Sequence, residues 1–118
     1  KEMLSKGKEI TIVDDQFRTP TYVVDLALAC KISMDKKATG IYHISSNKLL
    51  SIFEIAQQIA TVFHLDKSLI KPISTSTLNQ TAKRPVKTGF DLLKTNKVLE
   101  FYPRSFKEGL VKLKETLS

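Results

Sequence analysis

One stretch near the N-terminus limits what this chain can fold into more than any other: an apolar run, a polar loop and a second apolar run follow one another directly. The β-branched residues of Ile10–Val13 predict a short strand. The loop of residues 14–20 ends at Pro20, whose ring fixes φ and disfavours helix in the preceding residue. Residues 21–33 are apolar on almost every side, which predicts a helix buried between other elements, with Cys30 as a buried reduced thiol.

The rest of the pattern predicts an α+β fold with short strands and about four helices. Ser51 with Glu54, and Ser105 with Glu108, have the spacing of capping boxes, in which the two side chains satisfy free amides at a helix start. The predicted strands cover residues 10–13, 41–44 and 69–73, and the predicted helices cover residues 21–33, 51–63, 91–100 and 105–117, after a helix end near residue 7. A long loop, rich in Ser and Thr, covers residues 74–89.

Composition indicates one ordinary globular domain. The chain has 118 residues, of which 42% are hydrophobic and 26% charged, enough for a modest core over residues 1–118. Its single cysteine cannot form an internal disulfide, its apolar runs are too short to span a membrane, and no signal segment opens it. These features favour a cytoplasmic protein with no membrane partner.

The net charge of +7 comes entirely from the second half of the chain. Residues 1–66 hold eight Lys/Arg and eight Asp/Glu, whereas residues 67–118 hold eleven and four. Such an excess attracts polyanions, so nucleic acid has to be considered. The lysines are scattered across predicted helices, however, and aromatic residues do not alternate with them as a stacking platform would require. A solvated helical face or a contribution to binding a nucleotide diphosphate is therefore preferred to nucleic-acid binding.

Glycine spacing excludes a dinucleotide site within these residues. The chain has four glycines, and no two lie closer than twenty residues. A glycine-rich turn that cradles a pyrophosphate at a helix start needs several glycines within one short loop. We expect no cofactor site in this chain, and its first residue, Lys1, lies within an apparent helix end, which indicates a fragment of a longer protein.

Several short motifs in order resemble one enzyme family. They are Asp15-Gln16 with Pro20-Thr21, Asp25-Leu26-Ala27, Gly40-Ile41-Tyr42-His43-Ile44-Ser45, the box from Ser51 to Glu54, and Ala82-x-Arg84-Pro85. Each piece is weak, but all of them in this order resemble the C-terminal, substrate-binding part of dTDP-4-dehydrorhamnose reductases. These enzymes are extended short-chain dehydrogenases/reductases of the NAD-dependent epimerase/dehydratase superfamily.

The resemblance implies an enzyme half. In the family an N-terminal Rossmann domain, absent here, binds NADPH or NADH and supplies a catalytic Tyr with a Lys four residues later. Here the residues four after Tyr22, Tyr42 and Tyr102 are Leu, Ser and Phe, so the catalytic pair is absent as well. The chain would bind a nucleotide sugar in the intact reductase, with the missing Rossmann domain as its partner, and a homo-oligomer is left open.

Four residues are candidate substrate contacts: Gln16, Arg18, Gln80 and Arg84. Both arginines stand in proline-marked loops, and a guanidinium can bind phosphate oxygens in a planar fork with a permanent charge. At both positions the chain is similar to the epimerase branch of the extended dehydrogenases, whose arginines clamp the substrate diphosphate. Gln80 lies in a run that resembles the family's, and Gln16 could contact a polar pocket. Each arginine could instead form a structural salt bridge.

The other polar residues favour structural roles. Asp25 lies in the first turn of a predicted helix, where a carboxylate is stabilised by free amides. Asp14 and Asp15 have no third oxygen or His ligand nearby, and His43 and His64 match no zinc spacing, so no metal site is predicted.

Two other functions are left open. One is a non-catalytic regulatory or binding module, because some relatives of these reductases serve as regulatory subunits. The other is a basic nucleic-acid-binding domain, which strongly salt-dependent binding to oligonucleotides would reveal.

Overall fold

Two small sheets and five helices form the part of the chain that the structure describes. The computed structural model describes residues 1–78, 82 and 84–117. The helices are α1 (Glu2–Ser5), α2 (Val23–Asp35), α3 (Ile52–Val62), α4 (Leu93–Leu99) and α5 (Phe106–Leu117), and the strands are β1 (Ile10–Val13), β2 (Phe17–Arg18), β3 (Leu50–Ser51) and β4 (Ile70–Ile73). This mixed composition confirms the predicted fold class, with one helix more than the approximate number expected. None of these helices is long and apolar enough to cross a membrane.

The first sheet pairs β1 with β4 in parallel, which confirms both predicted strands. Ile10 lies opposite Ile70, and Ile12 lies opposite Pro72, which has no N–H to donate and is therefore tolerated only at a sheet edge. Helix α3 packs on this sheet and buries a first apolar cluster. Its buried members are Leu4, Ala60 and Ile70, with Ile10, Ile12, Phe53, Ala56, Leu65 and Leu69 packed around them.

The second sheet pairs β2 with β3 in antiparallel fashion and leads directly into α3. Ser51 ends β3 and caps α3: its hydroxyl accepts from the Glu54 amide at 3.0 Å, and its own amide donates to the Glu54 carboxylate at 2.7 Å. At α5 the Ser105 amide donates to Glu108 at 2.8 Å, and the Glu108 amide donates to the Ser105 hydroxyl at 3.3 Å. Both predicted capping boxes are thereby confirmed.

A second apolar cluster joins α2 to α4. Ala29, Leu99 and Phe101 are buried there, with Ile32, Ala38, Tyr42 and Ile44 packed against them. The two clusters share no buried residue, and the molecule is flat, measuring 49 × 38 × 19 Å. Its radius of gyration of 16.7 Å exceeds the roughly 13–14 Å expected of a compact chain of this length.

The strand predicted at residues 41–44 is wrong. These residues pair with no strand of the described chain. Two side chains of α4 instead form hydrogen bonds with backbone carbonyls that would pair with a neighbouring strand in a sheet. Lys94 Nζ donates to Ile41 O at 2.8 Å, and Thr95 Oγ1 donates to His43 O at 2.7 Å. Strand propensity was therefore not sufficient without a partner for the backbone.

The predicted burial of α2 is also wrong. Only Asp25 and Ala29 of this helix are buried, while Val23 and Met34 are 67% and 77% exposed. Cys30, expected to be a buried thiol, is exposed. The helix contacts the rest of the described chain along one side only, so its remaining apolar residues face outward.

Candidate functional site

Arg18 lies where two loops far apart in sequence run side by side. One edge of β2 pairs with β3, and its other edge meets the loop that leads to α4. The Phe17 amide donates to Val86 O at 2.7 Å, and the Thr88 amide donates to Phe17 O at 3.1 Å. Phe17 and Lys87 thus form a parallel bridge. The loop after β1 therefore lies beside the long late loop, as the hypothesis of two arginines in one cleft requires.

The Arg18 guanidinium is held by neutral oxygens. Nη1 donates to Phe17 O at 2.6 Å and to Val86 O at 3.3 Å, while Nη2 donates to Gln16 Oε1 at 3.1 Å. Among the ion pairs of the described residues, none involves Arg18. These contacts use three of the five N–H donors of a guanidinium and leave its charge without a counter-ion in the described part of the chain.

Gln16 connects Arg18 to Thr75 in the turn after β4. It is only 6% exposed, and its Nε2 donates to Thr75 Oγ1 at 3.0 Å while its Oε1 accepts from Arg18. Thr75 Oγ1 in turn donates to the Asp15 carboxylate. An ionised carboxylate can only accept, so the direction of every hydrogen bond from Asp15 through Thr75 and Gln16 to Arg18 is determined.

Asp15 forms the end of this network. Its carboxylate accepts from the Thr75 amide, at 2.9 Å for Oδ2 and 3.1 Å for Oδ1, and from Ser74 Oγ at 3.0 Å. The Thr75 hydroxyl, followed by the Thr75 amide, holds the pKa of Asp15 below its usual 3.8, because both donors favour the ionised form. Asp15 therefore ties β1 to the turn after β4 and stays charged at neutral pH.

An open cleft of about 610 Å³ lies beside Arg18. Its lining residues are Arg18, Thr19, Pro20, Lys87, Thr88, Gly89 and Phe90, two of them cationic and none acidic. Gly89 is closely approached here: a Cβ at this position would lie 3.2 Å from Thr19 Cγ2. The cleft thus combines positive charge with hydroxyl groups, a chemistry suited to phosphate oxygens.

An aromatic pair stands at the edge of the same cleft. Phe90 stacks on His43 with 4.8 Å between ring centroids and 5° between ring planes. Phe90 nevertheless remains 56% exposed. Lys87, the second cation of the cleft, lies 5.7 Å from the centroid of the Phe17 ring.

The other two predicted site residues lie in the late loop. Arg84 is exposed and precedes by two residues Val86, whose carbonyl accepts from Arg18. It does not line the Arg18 cleft. Gln80 lies outside the described residues. The convergence of both guanidinium groups on one diphosphate stays a prediction.

No metal site is apparent in the described part of the chain, since no three His, Cys, Asp or Glu side chains there could hold one ion. Asp25, considered for a structural role, is 1% exposed and forms an ion pair with Arg104. Neither Asp25 nor Arg104 lines the Arg18 cleft.

Sequence reasoning missed Thr75, Lys87 and Phe90. Lys87 and Phe90 follow Arg84 in the same proline-marked loop, so proximity in sequence was an available signal. Thr75 gave no such signal, because sixty residues separate it from Asp15, its hydrogen-bond partner. Only the parallel pairing of β1 with β4 brings the ends of these two strands together.

Two solved enzyme structures contain a part with the same fold as this chain. The dTDP-4-dehydrorhamnose reductase of Bacillus anthracis str. Ames, solved in complex with NADP, superposes with a TM-score of 0.87 at 28% identity, covering 98% of this chain and 41% of that one. The corresponding enzyme of Clostridium acetobutylicum ATCC 824 gives a TM-score of 0.83 at 28% identity over 97% of this chain and 41% of that one. The fold is that of the substrate-binding part of an extended short-chain dehydrogenase/reductase. More specifically, the chain belongs to the RmlD substrate binding domain family, whose model matches residues 1–118.

Two curated relatives of this chain have names that describe different kinds of protein. Methionine adenosyltransferase 2 subunit beta of Xenopus laevis is 34% identical over 88 residues, which are 70% of this chain and 26% of that protein. Spore coat polysaccharide biosynthesis protein SpsK of Bacillus subtilis (strain 168) is 30% identical over 105 residues, 87% of this chain and 35% of that protein. The chain thus spans between a quarter and about a third of the length of these relatives.

Proposed function

We propose that this chain is the substrate-binding part of an NAD(P)-dependent nucleotide-sugar reductase similar to dTDP-4-dehydrorhamnose reductase. Its role is to position the sugar nucleotide for hydride transfer. Membership of the family and the likeness to reductases of that name support the substrate class. The observation that carries the proposal is the Arg18 guanidinium, which has no carboxylate partner among the described residues and faces a cleft shared with Lys87.

A diphosphate fits this cleft for electrostatic reasons. Two cations without an acidic neighbour in the lining raise the local positive potential, and an anion gains most where no protein carboxylate competes. Within the described part of the chain, Arg18 forms three hydrogen bonds and leaves two N–H donors unused. Because those bonds orient the guanidinium in advance, less rotamer entropy is lost when an anion binds.

The remaining candidates would act around Arg18. Arg84 would bring a second guanidinium to the diphosphate from the late loop, and Gln80 would bond a sugar or base edge. Gln16, predicted as a substrate contact, is buried, and both ends of its amide are engaged. Its place in the network supports the view that it serves the substrate through Arg18, by holding that side chain toward the cleft.

The residues present do not fit a dinucleotide cofactor. The four glycines are dispersed, and no two lie closer than twenty residues, so they cannot form the glycine-rich turn that cradles a dinucleotide pyrophosphate. NADPH or NADH, the hydride donor of the intact protein, would bind outside these residues. Residues 1–118 would then be one substrate-binding domain of a longer, cytoplasmic NAD(P)-binding protein and would be inactive alone.

One observation favours a second candidate function. The similarity to methionine adenosyltransferase 2 subunit beta links the chain to a protein named as a subunit of another enzyme. The chain could accordingly belong to a non-catalytic module that binds a nucleotide and regulates a partner. A glycine-rich βα turn together with a Tyr-x-x-x-Lys motif in the intact protein would decide for the reductase.

Binding of dTDP-glucose to the 118-residue chain, measured by isothermal titration calorimetry, tests the proposal. Arg18→Met keeps an unbranched aliphatic stem but removes a charge-assisted contact worth about 1.5–3 kcal/mol, so the affinity should fall about 10- to 150-fold. Arg18→Lys should recover only part of this loss, because an ammonium group cannot form the planar fork. Lys112→Met, at an exposed ion pair on α5, is the matched control and should bind normally.

Two results would reject the proposal. Undiminished binding by Arg18→Met would show that the diphosphate lies elsewhere. Micromolar affinity of this chain for NADPH would show that its residues form a cofactor site after all.

A further inference from the structure

Phe90 is placed unusually for a large apolar side chain. It is 56% exposed, yet it is held parallel to His43 with 4.8 Å between the ring centroids. Such a stack covers one face of the phenyl ring and leaves the other available. An exposed phenylalanine fixed in orientation differs from a mobile surface residue, because the entropy of ordering its ring has already been lost.

The backbone next to each ring of this pair is anchored by nearby residues. The backbone at His43 is anchored by Thr95 Oγ1, which donates to its carbonyl at 2.7 Å. On the other side, Gly89 approaches Thr19 so closely that a Cβ would lie 3.2 Å from Thr19 Cγ2. One residue after Phe90, the Asp91 carboxylate accepts from the amide of Leu93, the first residue of α4, at 2.8 Å. The backbone on both sides of the stacked pair is therefore held by hydrogen bonds or close packing.

Phe90 also lines the cleft that contains Arg18 and Lys87. Its volume of about 610 Å³ falls within the usual range of small-molecule sites, roughly 300–1,000 Å³. The same cleft is therefore lined by two cationic side chains and by a flat aromatic ring. A sugar nucleotide has the matching pair of groups, a diphosphate bridge with two negative charges and a planar base.

We propose that Phe90, backed by His43, is the stacking platform for the nucleobase of the bound sugar nucleotide. The inference rests on the proposed function, because it assigns the base end of the same ligand whose diphosphate meets Arg18. Stacking of this kind tolerates different bases, since every base has a π face. The platform would therefore contribute affinity for the nucleoside, and discrimination among bases would come from other groups.

Two probes separate the platform from the diphosphate site: thymidine 5′-diphosphate, which carries a base, and inorganic pyrophosphate, which does not. In calorimetric titrations of the 118-residue chain, Phe90→Ala should weaken binding of thymidine 5′-diphosphate about 5- to 150-fold. The affinity of the Phe90→Ala chain for pyrophosphate should equal that of the unaltered chain. A Phe90→Trp chain should bind thymidine 5′-diphosphate as well as the unaltered chain does. Tyr102→Ala, which removes another exposed aromatic residue outside the cleft, should behave like the unaltered chain.

Proton NMR gives a second readout that a purely structural role would not change. The thymine methyl and H6 signals should shift upfield on binding, because they enter the ring current of Phe90. The shift should disappear in Phe90→Ala at saturating ligand and persist in Phe90→Trp. His43→Ala should reduce the nucleotide affinity less than Phe90→Ala does, because it removes only the support of the platform.

The outcomes distinguish this inference from the proposed function. If Arg18→Met weakens both probes while Phe90→Ala leaves nucleotide affinity and ring-current shifts unchanged, the platform is overturned and the diphosphate site stands. If the unaltered chain binds neither probe, both proposals fail. If Phe90→Ala weakens pyrophosphate as much as the nucleotide, Phe90 supports the cleft instead of the base, and the platform is again overturned.

Discussion

Arg104 forms an ion pair with Asp25 although the two residues lie 79 positions apart in the sequence. The Arg104 amide donates to Asp25 Oδ2 at 2.7 Å, and its guanidinium donates to Oδ1 of the same carboxylate. Asp25 is 1% exposed, whereas the Arg104 side chain is 42% exposed. This pair joins the first turn of α2 to the segment between α4 and α5, and it compensates a carboxylate that has been withdrawn from water.

Arg104→Ala should therefore destabilise the fold. The substitution removes a charge-assisted hydrogen bond from a buried carboxylate, which costs about 1.5–3 kcal/mol of unfolding free energy. Urea unfolding followed by circular dichroism measures the change. Lys112→Ala, which breaks an exposed pair with Glu115, is the control and should cost no more than about 1 kcal/mol. Equal effects of the two substitutions would contradict the role given to Arg104.

The Asp15 network should make stability depend on acid pH in a defined direction. The pKa of Asp15 is lowered from its usual 3.8 in the folded chain, chiefly by the Thr75 hydroxyl. Its ionised form therefore stabilises the fold fully above pH 3.8, and this contribution is lost as the pH falls through the lowered folded value. Thr75→Val should raise the pKa of Asp15 toward 3.8 and weaken the acid dependence.

Carbon-13 NMR titration of the Asp15 carboxyl group through the acid range checks this shift. Thr61→Val is the matched control, because the Thr61 hydroxyl donates to the Gln57 carbonyl on α3 and to no carboxylate of the described residues. The network interpretation is wrong if Asp15 titrates identically in the Thr75→Val and unaltered chains.

The capping box at Ser51 should matter for the stability of α3. Ser51 is buried, and its hydroxyl accepts from the Glu54 amide at 3.0 Å. Ser51→Ala leaves that amide without its partner and should cost about 0.5–2 kcal/mol of unfolding free energy. Ser51→Thr preserves the acceptor and should cost less. Guanidinium unfolding compares the three chains, and an Ala substitution as mild as the Thr substitution would refute the capping contribution.

The outward face of α2 should make this chain associate when isolated. Val23 and Met34 are exposed apolar residues on that helix, and the flat shape leaves two separate apolar clusters instead of one core. We expect a midpoint of thermal unfolding no higher than roughly 65 °C, within the ordinary mesophilic range. The apparent molecular mass of the chain in solution should rise with protein concentration.

Sedimentation velocity measures this association. The double substitution Val23→Lys with Met34→Lys should reduce it without lowering the thermal midpoint. Leu117→Lys, an equally exposed apolar position on α5, should have little effect. A clean monomer of the unaltered chain at high concentration would contradict the prediction.

Features that depend on neighbours along the chain are determined by the amino-acid sequence itself. The box at Ser51 and Glu54 works across three residues, so the start of α3 was evident from spacing alone. The β-branched run of β1 and the proline-marked edge of β4 were likewise local signals. Family membership followed from short motifs in a given order, and it was confirmed over residues 1–118.

Contacts between distant segments were decided by the tertiary structure alone. Asp15 meets Thr75 only because β1 and β4 run in parallel, and Arg18 meets Val86 only because the late loop bridges to Phe17. Residues 41–44 had the propensity of a strand but pair with no strand of the described chain. Helix α2 had the composition of a buried helix, but it packs against the described chain on one side only. Propensity and hydrophobicity belong to single residues, whereas pairing and burial need a second surface, and which surfaces meet is settled by the packing of the whole chain.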